Sequence, residues 1–317
     1  MIVSFNTREV LKKCLSALLD EAADFNLEIF VVDNASQDGS AEMVSRDFPQ
    51  VRMLSARRNL GFAAANNLAF GAATGDYVIL LNSDAFLCPG SLASAVAHME
   101  SEPNTALGGG RLIGADGSWQ PSARQFPGLV NDFLALSGLA HRFRESRFCG
   151  RADRTWADPM TDAAVDWVPG AFTIIRSEVL EKLGGFDESF FLYYEEVDLC
   201  RRIKACGYQV RYWADVVVVH LGGESSKSME SAVRSKIGAQ LTLWRLRSAY
   251  LYYRKHHGYR AWGAMAMEYA WHAVRFVRNA IAPARREKAK ESRAMLELVR
   301  QAWRETRAGT HSPAKPW

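Results

Sequence analysis

Apolar positions alternate between two spacings along the first hundred residues. Ile2–Phe5 is a short apolar run, and Arg8–Leu19 then sets Val10, Leu11, Cys14, Leu15, Leu18 and Leu19 at helical spacing. Glu28–Asp33 (EIFVVD) predicts a second strand, and Asp38-Gly39-Ser40 opens a helix through Met43 and Val44 with Asp38 or Ser40 as its cap. Val51–Leu54 predicts a third strand, Phe62–Ala72 another helix and Asp76–Leu81 a fourth strand. Such alternation through short loops predicts an α/β fold with a mainly parallel, doubly wound sheet buried on both faces.

After Ala106 the pattern changes. The segment LGGGRLIGADGSWQ predicts a strand, an Ala-Asp-Gly-Ser turn and a returning strand. Residues 123–160 show no period. Val165–Val168 and Ala171–Ile175 predict strands around Pro169-Gly170, and Glu178–Leu183 a short helix stopped by Gly184-Gly185. Glu195–Ala205 predicts a helix, followed by the strands Gln209–Trp213 and Val216–Val219, the second ending on His220.

Ligands on parallel sheets collect at the carboxyl ends of the strands. Asn6, Asp33, Asn59 and Asp84 all lie at or just past successive predicted strand ends, so the topology gathers them on one edge. Each alone reads as a turn or cap residue; four in succession point to a site.

Composition changes this picture in one respect. With 48% hydrophobic and 23% charged residues the chain is of ordinary globular type. Its net charge of +4, however, divides into −9 over residues 1–224 and +13 over residues 225–317, which predicts two regions with a boundary near Gly222–Lys227. Five cysteines without a CxxC pair predict reduced thiols of a cytoplasmic protein. No leader resembling a signal peptide and no run of about 18 uncharged apolar residues is expected.

Three places carry candidate chemistry. Asp84 and His220 each close an apolar strand, and a carboxylate with an imidazole suits a divalent metal that keeps positions open for phosphate oxygens. Glu195, Glu196 and Asp198 crowd the first turn of a helix behind Phe190-Phe191-Leu192-Tyr193-Tyr194. There they either complement the helix dipole or, pushed up by one another and by apolar surroundings, supply a general base.

These residues stand in segments that resemble the inverting family 2 glycosyltransferases of GT-A fold, in particular their bacterial rhamnosyltransferase-like branch. The segments are IVSFNTREVLKKCLSAL, VVDNASQDGS, RNLGFAAANN, GDYVILLNSDAFL and VPGAFTIIRSEVLEKLGGFDESFFLYYEEVDLCRRIKACGYQVRYWADVVVVHLGG, in family order over residues 2–223. The family's first strand normally starts several residues earlier, so Met1 already falls inside it.

The resemblance implies that Asp33, with Ser4 and Asn6 beside it, contacts the nucleoside. It places Arg58, Asn59, Gly61, Phe62 and Asn67 along the nucleotide and donor sugar, and Gly170 and Ala171 against the sugar and acceptor. Asn82-Ser83-Asp84 stands where the family carries a DxD-type motif, so Asp84 is implied as metal ligand, His220 as the later metal or diphosphate ligand, and Mg2+ or Mn2+ as the cofactor. The family's catalytic base falls at Glu196, with Glu195 as substitute, while Asp198 caps or orients the helix.

The expected activity is transfer of a sugar, rhamnose from a dTDP donor by branch resemblance, to a saccharide or polyprenyl-diphosphate-linked acceptor. A non-catalytic nucleotide-sugar binding subunit of a glycan-assembly complex is the alternative. A nucleotidyltransferase would want a glycine-rich basic loop after the first strand, which SFNTREV is not.

Residues 227–307 predict helices with interleaved aromatics (Trp244, Tyr250, Tyr252, Tyr253, Trp262, Tyr269, Trp271, Phe276) and many arginines. Basic helices bearing Trp and Tyr suit an anionic membrane surface, which predicts a peripheral protein on the inner face of the cytoplasmic membrane. Packing against the catalytic region or a homodimer contact is the other use of such helices. No nucleic-acid-binding fold accompanies the charge.

Overall fold

Each apolar run of the first hundred residues forms the strand expected of it, trimmed by a residue or two where the run meets a turn. The computed structural model describes residues 1–22, 25–222 and 236–313. β1 (Ile2–Ser4), β2 (Phe30–Asp33) and β3 (Arg52–Ser55) pair in parallel, with Ser4, Asp33 and Ser55 in register at their carboxyl ends. The amphipathic helices α1 (Arg8–Glu21), α2 (Ser40–Asp47) and α3 (Gly61–Phe70) connect them. β4 (Tyr77–Leu81) continues the array through Met1, whose amino group donates to Ile79 O (2.7 Å) and whose carbonyl accepts from Leu81 N (3.0 Å).

Beyond β4 the sheet is mixed, which corrects the mainly parallel expectation. The order is β4, β9 (Phe172–Arg176), β6 (Thr105–Ile113), β10 (Gln209–His220) and β5 (Ala85–Leu87). β9 runs antiparallel to both neighbours, β6 and β10 pair in parallel, and β5 is antiparallel to β10. The physical reason lies in the connections: a parallel neighbour needs a crossover helix, and none leads into β9. The short strands β7 (Trp119–Gln120) and β8 (Ala163–Val165) add antiparallel edges to β6 and β10. The two strands read at Gln209–Trp213 and Val216–Val219 are one strand with an irregularity between Trp213 and Val217.

α4 (Ser91–Ser101) packs with α1 and α2 around one core, which includes Leu11, Leu15, Val44, Leu92 and Trp213. A second core gathers Val78, Leu107, Val179, Leu199 and Ile203, to which α7 (Ser177–Lys182) and α8 (Glu195–Ala205) contribute. The LGGG run has a packing reason. A Cβ at Gly108 would lie 1.9 Å from the Trp213 ring, and one at Gly110 would lie 2.3 Å from Val216 O.

The chain divides into two compact units. The first comprises residues 1–126, 145–188 and the stretch from 195 to the end of β10. The second holds residues 127–144, residues 189–194 and the C-terminal helices. It therefore takes in two segments that sequence reading left with the catalytic region, and α5 (Leu129–Leu136) and α6 (Leu139–Arg142) arise where no period was visible. Beyond Gly222, the boundary expected at Gly222–Lys227 lies outside the described residues.

In the helical unit, α9 (Lys236–His257), α10 (Arg260–Ala280) and α11 (Arg286–Glu305) pack around Leu243, Leu246, Tyr250, Val299 and Ala302. Tyr250, Tyr252 and Tyr253, expected at a membrane surface, are buried here instead. Arg245 pairs with Glu268 (3.1 Å) and Arg247 with Glu305 through Nε (2.8 Å), so α9 spends its cations internally. No helix among the described residues is long and apolar enough to cross a membrane.

Because the obstruction at Gly110 is main chain, Gly110→Ala is expected to destabilise the first unit by about 1–3 kcal/mol, read from chemical denaturation; an unchanged midpoint contradicts the packing account.

Candidate functional site

The LLNSDA stretch leaves β4 and turns at once. Ala85 N donates to Asn82 O (3.0 Å), closing a four-residue turn, while Asn82 N donates to Ala171 O (3.0 Å). β5 emerges antiparallel to the end of β10, with Ala85 opposite His220, and Leu221 N donates to Asp84 O (3.0 Å). This main-chain pairing sets Asp84 Oδ1 3.5 Å from His220 Nε2, with side chains 30% and 17% exposed respectively. The two implied metal ligands, far apart in sequence, share one corner.

Two residues that sequence reading missed complete that corner. Gln120, on β7, donates from Nε2 to His220 O (2.9 Å), which leaves its Oε1 to accept from His220 Nδ1 (3.0 Å). The hydrogen of the neutral ring therefore sits on Nδ1, and the Nε2 lone pair faces Asp84. At Gly222 a Cβ would stand 2.7 Å from His220 Nε2 and 2.9 Å from Asp84 Oδ2. Glycine keeps clear the space on which an oxygen and a nitrogen donor converge.

That donor set fits a divalent cation. Among the described residues no group of three or more His, Cys, Asp and Glu gathers to hold one. Two protein ligands suit a Mg2+-like ion, which keeps waters and substrate phosphates in its remaining positions. The hairpin carrying Gln120 was legible in sequence; its register against His220 was not.

The residues implied for the nucleotide lie at the ends of β1 to β3. Asp33 Oδ2 accepts from Ser36 N (3.1 Å), and its buried Oδ1 has no partner. Ser4 is buried, its Oγ 2.9 Å from Thr7 Oγ1. Asn6, at a left-handed φ of 56°, accepts from Gln37 N (2.8 Å) and donates its own N–H to Ser36 Oγ (2.9 Å), tying the β1 and β2 loops together.

Asn59 Oδ1 accepts from Gly61 N (2.9 Å), and the unanticipated Asn34 clamps the same loop through Leu60 N and Gly61 O. Arg58 is exposed, Ser83 and Ala171 are buried, and the Phe62 ring faces Gly170. Asn67, implied at the donor, has protein partners for its amide. Its amide bonds Phe186 O, Phe186 N and Glu188 Oε1, so it braces the 185–188 turn.

α8 presents the acids. Asp198 is fully buried but satisfied by Arg202 Nε (2.8 Å), and Arg202 also holds Leu183 O and Gly185 O. It orients the helix, as expected. Glu195 and Glu196 differ: each has a buried Oε2 without a partner. Burial raises the pKa of both; the charge of Glu196 raises Glu195 further, and Arg124 draws Glu196 back down. Both carboxyls are thus driven toward the neutral acid, Glu195 more strongly than Glu196.

Comparison with known proteins bears on the family and the fold. The model described as Glycosyl transferase family 2 matches residues 1–184. The N-acetylglucosaminyl-diphospho-decaprenol L-rhamnosyltransferase of Mycobacterium tuberculosis is 29% identical over 215 residues, 64% of this chain and 69% of that one. Rhamnosyltransferase WbbL of Escherichia coli is 24% identical, covering 80% of this chain and 90% of its own. Among solved structures, the mannosyltransferase PcManGT from Pyrobaculum calidifontis in complex with GDP-Man and Mn2+ superposes with TM-score 0.52 at 19% identity, covering 95% of this chain and 85% of that one.

Two outcomes follow from this geometry. Gly222→Ala is expected to weaken Mn2+ binding at least about tenfold, because its methyl group enters the space between the donors; unchanged binding by calorimetry removes Asp84 and His220 as the site. A carboxyl group whose folded pKa is raised adds stability below the ordinary carboxylate range and loses it as pH rises through the folded value. The melting temperature of Glu195→Gln relative to wild type is therefore expected to climb as pH rises above the ordinary carboxylate range. A flat difference contradicts the buried pair.

Proposed function

The chain belongs to glycosyl transferase family 2 and is a glycosyltransferase of GT-A fold, and on that premise we propose that it is metal-dependent and inverting, moving rhamnose from a dTDP-sugar to a lipid-linked saccharide. The observation that carries the reading is the meeting of Asp84 with His220 beside Gly222, at the turn leaving β4. Asp33, with a buried unpartnered carboxylate oxygen at the end of β2, accepts a hydrogen bond from the nucleoside.

A divalent cation held by Asp84 and His220 would neutralise charge developing on the diphosphate. Glu196 takes the proton of the acceptor hydroxyl as that oxygen attacks the anomeric carbon opposite the leaving nucleoside diphosphate. One carbon–oxygen bond forms as another breaks, the proton ends on Glu196, and the configuration inverts. Glu195, driven toward its neutral form by burial and by the charge of Glu196, orients Glu196 and limits the negative charge in the same buried site.

The acceptor class follows the name of the mycobacterial relative, whose acceptor is a diphospho-decaprenol-linked N-acetylglucosamine. An acceptor with such an anchor supports a peripheral location on the inner face of the cytoplasmic membrane. The relatives named above are transferases, and a non-catalytic binding subunit draws no support from them.

Incubation with a panel of nucleotide sugars and Mg2+ or Mn2+ tests the reading: release of nucleoside diphosphate without pyrophosphate is expected, fastest with dTDP-rhamnose. Glu196→Gln is expected to bind the donor normally and turn over at least about 100-fold more slowly. Near-normal turnover returns the base to another residue.

A further inference from the structure

The helix α10 is built inside out. At 3.6 residues per turn its solvent-facing sector covers roughly 160° of circumference. Trp262, Ala266, Ala270, Val274, Val277 and Ile281 lie along that sector and just past its end, all exposed. Val274, Val277 and Ile281 are 65%, 62% and 80% exposed. The opposite face carries Glu268, His272 and Asn279 inward: Glu268 pairs with Arg245, His272 and Asn279 are buried, and His272 Nε2 and both Asn279 side-chain heteroatoms make no hydrogen bond.

A water-facing helix has the reverse arrangement, and isolated exposed apolar residues do not run as an unbroken stripe about 28 Å long. The stripe has a basic rim. Arg260 and Arg278 flank it on one side, Arg285 and Arg286 lie at its C-terminal end, and all four are exposed. Among the described residues none of these four forms an ion pair with the protein. The only acid of α10, Glu268, points away from the stripe into the pairing with Arg245.

We propose that this face of α10 is a docking surface for a bilayer bearing anionic phospholipid headgroups. Val274, Val277 and Ile281 enter the headgroup–acyl boundary, Trp262 lies at the interface, and the arginine rim meets the phosphates. Charge decides the occupant. A second copy of this chain would bring an identical arginine rim against the first, whereas an anionic lipid surface neutralises it, with each surface Lys or Arg contributing on the order of 1 kcal/mol. The proposal deepens the peripheral-membrane reading above and is independent of the transfer chemistry.

Full-length protein is sedimented with vesicles of phosphatidylcholine alone and of phosphatidylcholine mixed with phosphatidylglycerol. Binding to the mixed vesicles, weakened by salt, is expected. The triple variant Val274→Ser/Val277→Ser/Ile281→Ser is expected to lower that partitioning at least about tenfold. Arg278→Glu/Arg285→Glu is expected to remove the preference for the anionic lipid.

These substitutions lie on exposed positions, so nucleoside diphosphate release from the donor serves as the check that each variant is folded and is expected to be unchanged. Wild-type protein that stays in the supernatant overturns the proposal and leaves the glycosyltransferase reading standing. So does equal partitioning of wild type and triple variant. A triple variant that turns a dimer into a monomer by light scattering, with vesicle binding intact, assigns the stripe to a subunit contact and also overturns it.

Discussion

The candidate site depends on three antiparallel residue pairs. β5 is only Ala85–Leu87, yet its register with the end of β10 is what carries Asp84 to His220. A slip of one residue in that ladder would turn every side chain to the other face and separate the two donors. The register is held by main-chain hydrogen bonds on either side, Cys88 N to Val217 O and Leu221 N to Asp84 O, so the corner is fixed by backbone rather than by the functional groups themselves. Its side chains remain free to face a ligand.

α8 sorts buried acids by whether they are paid for. Asp198 has Arg202 against it, and that arginine is in turn spent on two carbonyls, a closed set with nothing left for a substrate. Less than one turn earlier on the same helix, Glu195 and Glu196 each keep a buried, unpartnered oxygen. Leaving such groups unsatisfied costs on the order of 1–3 kcal/mol each, which a structural role does not explain. The same helix thus shows a bracing carboxylate beside an unsatisfied pair, distinguished by partners rather than by burial.

Much of this was legible in the chain. The strands β1 to β4, the helices between them and the polar residues at the strand ends follow from local apolar spacing, which reports directly on which face is buried. Asp84 and His220 were each legible as donors closing an apolar strand, but their meeting was not, since long-range pairing that no local pattern encodes joins them. Gln120 and Gly222 stayed invisible for the same reason: their importance lies in what they touch. The antiparallel insertion of β9 and the short helices α5 and α6 were missed because a few residues cannot establish a period. The aromatics of α9 misled, because Tyr250, Tyr252 and Tyr253 look amphipathic in sequence yet are buried, Tyr250 in the core shared with α11 and Tyr252 and Tyr253 against Tyr194 and Asp132.

The turn at Asn82 has one more consequence. Its amide and carbonyl hold Ala171, Ala85 and the Cys14 thiol, while the side chain takes part in none of these bonds. Architecture and chemistry are therefore uncoupled at this position: the fold asks only for a backbone there. An asparagine or an aspartate satisfies it equally, and evolution is left with a dial for the local negative charge that can be turned without disturbing the scaffold.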